Sequence, residues 1–284
     1  MTDGGSTDAA GALAEAARKL REAGCPSPRI DAERLLCFAL GTDRAGLYLM
    51  HSSPLPPKSL EEYRGMVAKR AARVPLQHIT GTVEFHGLPF VCAPGALIPR
   101  PETEVLLDRF LDALPRSPRL LLDAGTGSGV LAVCLALRFP EAAVLATDVA
   151  MEPLSVAAAN AALHGVRISF AACDLLEALD AGFDGIVANL PYIPSLEIRN
   201  AQPEVGLHDP GIALDGGPDG LALIRRLVAD APRCLAEGGI LALEAAGRQP
   251  YRISRLMERS GAWSRVTRGP DLAGKPRWVM ATRG

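Results

Sequence analysis

Leu120-Leu121-Leu122-Asp123-Ala124-Gly125-Thr126-Gly127-Ser128-Gly129 is the stretch on which the fold turns. An apolar, strand-like run enters three alternating glycines, and a helical pattern follows at once. Glycines so spaced let the backbone turn sharply and let a ligand approach bare amides. Ligands of open α/β sheets bind outside the carboxyl ends of strands, where this loop falls. Asp148 closes the next strand-like run, where its carboxylate can accept from the two hydroxyls of a ribose. Strand-like runs recur at 120–122, 144–147, 168–171, 185–188 and 240–243, with helical stretches between most of them. This alternation predicts an α/β fold, a mostly parallel sheet with helices on both faces. Residues 263–280 could add a final antiparallel pair.

Towards the N-terminus the pattern changes. Residues 8–73 read as helices only: Leu13, Ala16, Ala17 and Leu20 recur at helical spacing before Gly24, and Ala32, Leu35, Leu36 and Ala39 before Gly41. Ser59 with Glu62 three residues on suggests a capping box opening a third helix. Val83-Glu84-Phe85 and Phe90-Val91-Cys92, split by His86-Gly87-Leu88-Pro89, read as a short hairpin. The expected organisation is a helical domain over 1–73, a linker with the hairpin over 74–100, and the ligand-binding domain over 101–284.

The 284 residues are 48% hydrophobic and 22% charged, enough apolar surface to exclude disorder as the main state. A formal charge of −2 excludes a broadly basic nucleic-acid binder, and direct nucleic-acid binding is not expected. Six cysteines form no CxxC and five histidines no HxxxH, so no metal site is expected. Scattered thiols suit a reducing cytoplasm. No apolar stretch reaches the ~18 residues that span a bilayer. Residues 1–8 lack the basic and apolar regions of a secretory signal and read as a short flexible tail.

Gly127-Ser128-Gly129-Val130-Leu131-Ala132 satisfies the dinucleotide pattern G-x-G-x-x-G/A, which keeps a nicotinamide-binding protein among the readings. Asp123 speaks against it. A carboxylate just before the glycines repels pyrophosphate and suits a ligand with an amino group and a sulfonium, S-adenosylmethionine. The run 183–188 then ends in Asn189-Leu190-Pro191-Tyr192. The Asn189 side-chain oxygen and the Leu190 carbonyl can each accept one hydrogen of a planar NH2 group, with Tyr192 packed on its face. Such a site orients a poor nitrogen nucleophile toward an electrophilic methyl.

With these residues in place, the chain resembles the N5-glutamine methyltransferases that modify peptide chain release factors. The resemblance runs over almost the whole length. It includes the helical N-terminal region, Leu76-Gln77-His78-Ile79-Thr80-Gly81, Leu97-Ile98-Pro99-Arg100-Pro101-Glu102-Thr103-Glu104, the glycine loop, the Asn189 tetrapeptide, Leu214-Asp215-Gly216-Gly217 and Asp271-Leu272-Ala273-Gly274. It implies a class I S-adenosylmethionine-dependent methyltransferase fold, Rossmann-like with a seven-stranded mixed sheet, beside a small helical substrate-recognition domain. It implies S-adenosylmethionine as cofactor, S-adenosylhomocysteine as product, and the Gly-Gly-Gln glutamine of class 1 release factors as acceptor.

Carried across, Gly125, Thr126, Gly127, Ser128 and Gly129 would wrap the methionine part of the cofactor. Asp148 would bind the ribose, Asp174 and Leu175 would flank the adenine, and a helix N-cap is the other reading of Asp174. Asn189, Leu190, Pro191 and Tyr192 would hold the glutamine amide as the catalytic group, with Asn189 also bordering the cofactor. Arg100 and Glu102 would shape the wall nearby or form a structural ion pair. Three departures from the family pattern stand out. Leu190 replaces a Pro, a form also seen in rRNA adenine dimethyltransferases, which makes an adenine-amino methyltransferase acting on rRNA or DNA the alternative. Asp209-Pro210-Gly211 stands where Glu-Pro-Arg is usual, and Glu244-Ala245-Ala246-Gly247-Arg248-Gln249 has altered glycine spacing.

Overall fold

The computed structural model describes residues 8–200 and 202–284. Apart from Asp8, the tail expected at the N-terminus lies outside them. The chain divides into two units, Met1–Gly81 and Thr82–Gly284.

The first unit is helical: α1 (Ala9–Glu22), α2 (Pro28–Leu40), α3 (Arg44–Leu49), α4 (Pro57–Ala71) and α5 (Leu76–Thr80). Asp8 caps α1, its carboxylate accepting from the Gly11 amide at 2.8 Å. Helix α4 opens at Pro57 with no side-chain cap, so the capping box expected at Ser59 does not form. Proline has its φ preset for the first helical position and starts the helix two residues earlier. Leu20, Leu35, Leu36, Tyr63 and Val67 form the core, and Leu76 of α5 joins it. Arg70 and Asp31 are paired in this interior at 2.8 Å.

The second unit begins with the strands β1 (Thr82–Phe85) and β2 (Leu88–Val91). They are joined by His86 and Gly87, both at positive φ, as a tight two-residue hairpin turn requires. The turn is two residues shorter than the sequence suggests. Phe85 and Phe90 anchor the hairpin in the core of the sheet unit, so the stretch read as a linker is divided between the two units.

Then follow α6 (Pro101–Ala113), β3 (Leu120–Ala124), α7 (Val130–Arg138), β4 (Ala143–Asp148), α8 (Met151–Leu163), β5 (Ser169–Ala172) and β6 (Phe183–Ala188). The short helices α9 (Ser195–Ile198) and α10 (Pro203–His208) and a 3-10 turn (Gly211–Ala213) lead to α11 (Ala222–Cys234), β7 (Leu235–Glu244), α12 (Gln249–Ser260), β8 (Trp263–Pro270) and β9 (Pro276–Arg283). The seven strands run in the order β5-β4-β3-β6-β7-β9-β8. β3 to β7 are mutually parallel and β9 is antiparallel to both β7 and β8, a mixed sheet. Alternate residues of one strand feed opposite faces. Leu121 packs with α6 and α7 on one side, whereas Leu122 joins α11 and α12 on the other. Strand β7 starts five residues before the apolar run 240–243, because Leu235 pairs with Phe183 across a bulge. The chain order reverses between β3 and β6, which opens a crevice at their carboxyl ends.

Among the described residues, no helix is long and apolar enough to cross a membrane.

Candidate active site

At that crevice lies a cavity of about 260 Å³. Its walls include Gly125 and Gly127 after β3, Asp148 at the end of β4, Asp174 and Leu175 after β5, and Asn189, Leu190 and Pro191 after β6. Eight of the residues singled out in the sequence thus converge on one space.

The glycine loop is braced from several sides. The amides of Gly125 and Thr126 both donate to the Thr147 carbonyl at 2.8 Å. Asp148 accepts from the Gly127 amide and the Ala150 amide, each at 3.1 Å, and a carboxylate so engaged keeps lone pairs for a ligand. The buried Asn160 side chain donates to the Ser128 carbonyl at 2.8 Å and accepts from the Val91 amide at 2.7 Å. Gly125 has φ +73°, and a Cβ there would lie 2.8 Å from Leu190 Cδ2. Gly129 lies against helix α8, where a Cβ would come within 2.7 Å of Ala157 Cβ. Thr126, Ser128 and Gly129 therefore build the loop without lining the cavity.

Asp123 corrects the sequence argument. It is fully buried and forms no part of the cavity wall. Its Oδ2 accepts from the Thr126 hydroxyl at 2.6 Å and the Ala132 amide at 3.1 Å. Burial pushes its carboxyl up to about 7. The strand pleat turns this side chain under the loop and toward the start of α7, so it shapes the glycine turn from behind instead of meeting the ligand's charge.

Neither the Asn189 amide oxygen nor the Leu190 carbonyl accepts a hydrogen bond from any described residue. Tyr192 is tied at its hydroxyl, which donates to Glu244 Oε1 at 3.0 Å, and is not among the walls of this cavity. The Tyr192 carbonyl accepts from the Gln249 side chain at 2.7 Å. Both ends of the irregularly spaced segment 244–249 thus hold the tetrapeptide.

Asp174 caps no helix; its carboxylate pairs with Arg226 at 2.9 Å, and Arg226 also reaches Glu177 at 3.0 Å. Leu175 is held at φ +53°, a strained conformation of the kind that clusters at ligand sites. Arg100 pairs with the buried carboxylate of Asp209 at 2.7 Å, while Glu102 is 3.9 Å from Arg277.

The sequence reading missed further cavity walls. Gly95, Ala96 and Leu97 come from the loop after the hairpin, Ile212 and Ala213 from the 3-10 turn, and Leu223 and Arg226 from α11. Leu97 opens the family-like string, and Val149, a further wall, directly follows Asp148, so those two carried a signal. Ile212 and Arg226 carried none, since only the tertiary path returns them to this crevice.

Residues 11–81 match the PrmC N-terminal domain family and residues 101–202 the methyltransferase small domain family. A release factor glutamine methyltransferase of Deinococcus radiodurans is 43% identical over 273 residues, covering 95% of this chain and 97% of that protein. One from Mycolicibacterium smegmatis is 42% identical over 276 residues, covering 96% of each. Among solved structures, a methyltransferase from Pyrococcus furiosus superposes with a TM-score of 0.53 at 18% identity, over 78% of this chain and 98% of that one. A 16S rRNA methyltransferase of T. thermophilus in complex with AdoMet and guanosine also gives 0.53, at 19% identity over 72% and 50%. These two likenesses establish the methyltransferase fold. With relatives this similar along nearly its whole length, the chain belongs to the release factor glutamine methyltransferase family.

Proposed function

We propose that this chain, acting in the cytoplasm, transfers a methyl group from S-adenosylmethionine to the side-chain amide nitrogen (N5) of the glutamine in the Gly-Gly-Gln motif of class 1 peptide chain release factors. The observation that carries this reading is the pair of free acceptors, the Asn189 amide oxygen and the Leu190 carbonyl, beside a cavity walled by Gly125, Gly127 and Asp148. The relatives' name favours a protein glutamine over the adenine amino group of the alternative.

The cavity fits the cofactor. Space is open above Gly127, where no atom lies within 4 Å of a Cβ position, and Asp148 retains acceptor capacity for a ribose. In this reading, Gly125 and Gly127 would hold the methionine part on the loop that Thr126, Ser128 and Gly129 shape, Asp148 the ribose, and Asp174 and Leu175 the adenine edge. The bound cofactor supplies an electrophilic sulfonium methyl and leaves as S-adenosylhomocysteine.

An amide nitrogen is a weak nucleophile because its lone pair is delocalised into the carbonyl. The protein's work is then positioning. Asn189 and Leu190 would each accept one hydrogen of the glutamine NH2 and so aim its nitrogen at the sulfonium methyl. The same two acceptors would stabilise the positive charge that grows on nitrogen as the N–C bond forms and the S–C bond breaks, and the surplus N–H proton leaves to solvent after transfer. Leu190 keeps the carbonyl acceptor that a proline would offer, so the departure there leaves the chemistry intact. The helical unit is assigned to recognition of the release factor.

The deciding experiment is transfer of labelled methyl from S-adenosylmethionine to a purified class 1 release factor and to a version whose Gly-Gly-Gln glutamine is replaced. Label on the first alone supports the reading. Absence of label on both, with cofactor bound, overturns it. Asn189→Ala should lower turnover by about 10²–10³-fold, with cofactor affinity changed far less. Near-normal turnover in that variant would remove Asn189 from the mechanism.

A further inference from the structure

Glu244 ends β7 with 1% of its surface exposed, yet no role in the reaction has been assigned to it. Its Oε2 accepts from the Thr103 hydroxyl at 2.6 Å and its Oε1 from the Tyr192 hydroxyl at 3.0 Å. Thr103, itself buried, lies in the first turn of α6. Its oxygen accepts in turn from Asn189 Nδ2 at 3.0 Å. These contacts have a direction. An ionised carboxylate only accepts, and a threonine hydroxyl has one proton to give. Once that proton is committed to Glu244, Thr103 can only accept from Asn189, so the NH2 end of the amide must face it. The amide oxygen is thereby left to the cavity that Asn189 lines. Nothing in the shape of an asparagine selects this orientation, because its two ends are nearly isosteric. The opposite orientation would set NH2 against the NH2 of an incoming amide.

We propose that Glu244 and Thr103 are positioning residues that orient Asn189 through a directed chain, carboxylate to hydroxyl to amide, so that its oxygen meets the methyl acceptor. The inference rests on the reading of Asn189 as the group that holds the glutamine amide. It gives a physical task to Thr103, inside the family-like string 97–104, and to Glu244, which opens the segment 244–249 that departs from the family spacing.

The chain works only while Glu244 is ionised. Burial raises its pKa, opposed by the Thr103 and Tyr192 hydrogen bonds and by Arg277 on β9, and reinforced by Glu102 on α6. A protonated Glu244 carries its own donor, which frees the Thr103 proton to turn toward Asn189 and reverse the amide. As pH falls, turnover should therefore decline before an ordinary exposed carboxylate would be protonated.

The test uses the full chain with Thr103→Val, Thr103→Ser and Glu244→Gln, following kcat and KM for the release factor, cofactor Kd and Tm. Losing a buried hydrogen-bond partner predicts that Thr103→Val lowers kcat/KM by about 10- to 100-fold. Cofactor Kd should stay near that of the parent, and Thr103→Ser should recover most of the activity. Glu244→Gln should lower activity and remove the acid-side decline. Parental kcat/KM in both Thr103→Val and Glu244→Gln overturns the inference. So does a Thr103→Ser variant as impaired as Thr103→Val, which would mean that packing, not the hydroxyl, mattered. A second readout is independent of the substrate: hydrogen exchange of the Asn189 side-chain NH2 by 15N NMR. Slow exchange in the parent and fast exchange in Thr103→Val supports the chain of bonds; fast exchange in both overturns it. If the parent protein fails to label a release factor, the functional reading falls, while the exchange measurement still decides the orientation of Asn189.

Discussion

Replacing Gly125 with alanine tests whether the glycine loop and the Asn189 tetrapeptide are mechanically coupled. Two costs can be worked from the structure. At φ +73° the backbone is left-handed, which costs a residue with a Cβ about 1–2 kcal/mol. The new Cβ would stand 2.8 Å from Leu190 Cδ2, where carbon pairs ordinarily keep about 3.5–4.0 Å. Overpacking of this kind costs about 1–3 kcal/mol. Gly125→Ala should then destabilise the sheet unit by about 2–5 kcal/mol in sum. Leu190 is only 4% exposed, so Leu190→Ala alone should cost about 2–5 kcal/mol through the cavity it leaves. In the double variant the clash is gone and only the backbone strain remains. The pair should therefore be less destabilised than the sum of the singles by about 1–3 kcal/mol. The assay is urea unfolding of the four proteins, using the transition that S-adenosylmethionine shifts, since that transition belongs to the unit carrying the cavity. Energies that add to within about 0.5 kcal/mol would refute the contact between Leu190 and Gly125 as the reason for glycine there.

Two other perturbations separate loop geometry from ligand binding. Gly127 has positive φ but open space around its Cβ position, so Gly127→Ala should cost only about 1–2 kcal/mol of stability while cofactor affinity, by calorimetry, falls at least tenfold; unchanged affinity would place the ligand elsewhere. Asp123, with its carboxyl pushed up by burial to about 7 from 3.8, binds a proton more tightly in the folded chain than in the unfolded one. Its contribution to stability is complete below about pH 4 and is lost as pH rises to about 7. Asp123→Asn should flatten the stability–pH curve of the ligand-free protein across that window, and an unchanged slope would exclude Asp123 as its source.

What could be read along the chain was what local pattern determines. The run 120–129 announces strand, glycine turn and helix because each depends on residues within a few positions, and period-two and period-3.6 burial separates the sheet unit from the helical one. Asn189, Leu190 and Asp148 were legible for the same reason, as polar or backbone acceptors at strand ends. Partner choice was not. Asp123 looks like a ligand's counter-charge until the pleat turns it inward onto Thr126. That Glu244 holds the Tyr192 hydroxyl could not be read from the tetrapeptide. Thr103 reaches Glu244 across 141 positions of sequence, and Ile212 and Arg226 reach the cavity from elements with no motif. Such contacts depend on strand order and register, which place β6 between β3 and β7. A hydrogen bond is directional and short, so which donor meets which acceptor was settled only once the sheet had brought their elements side by side.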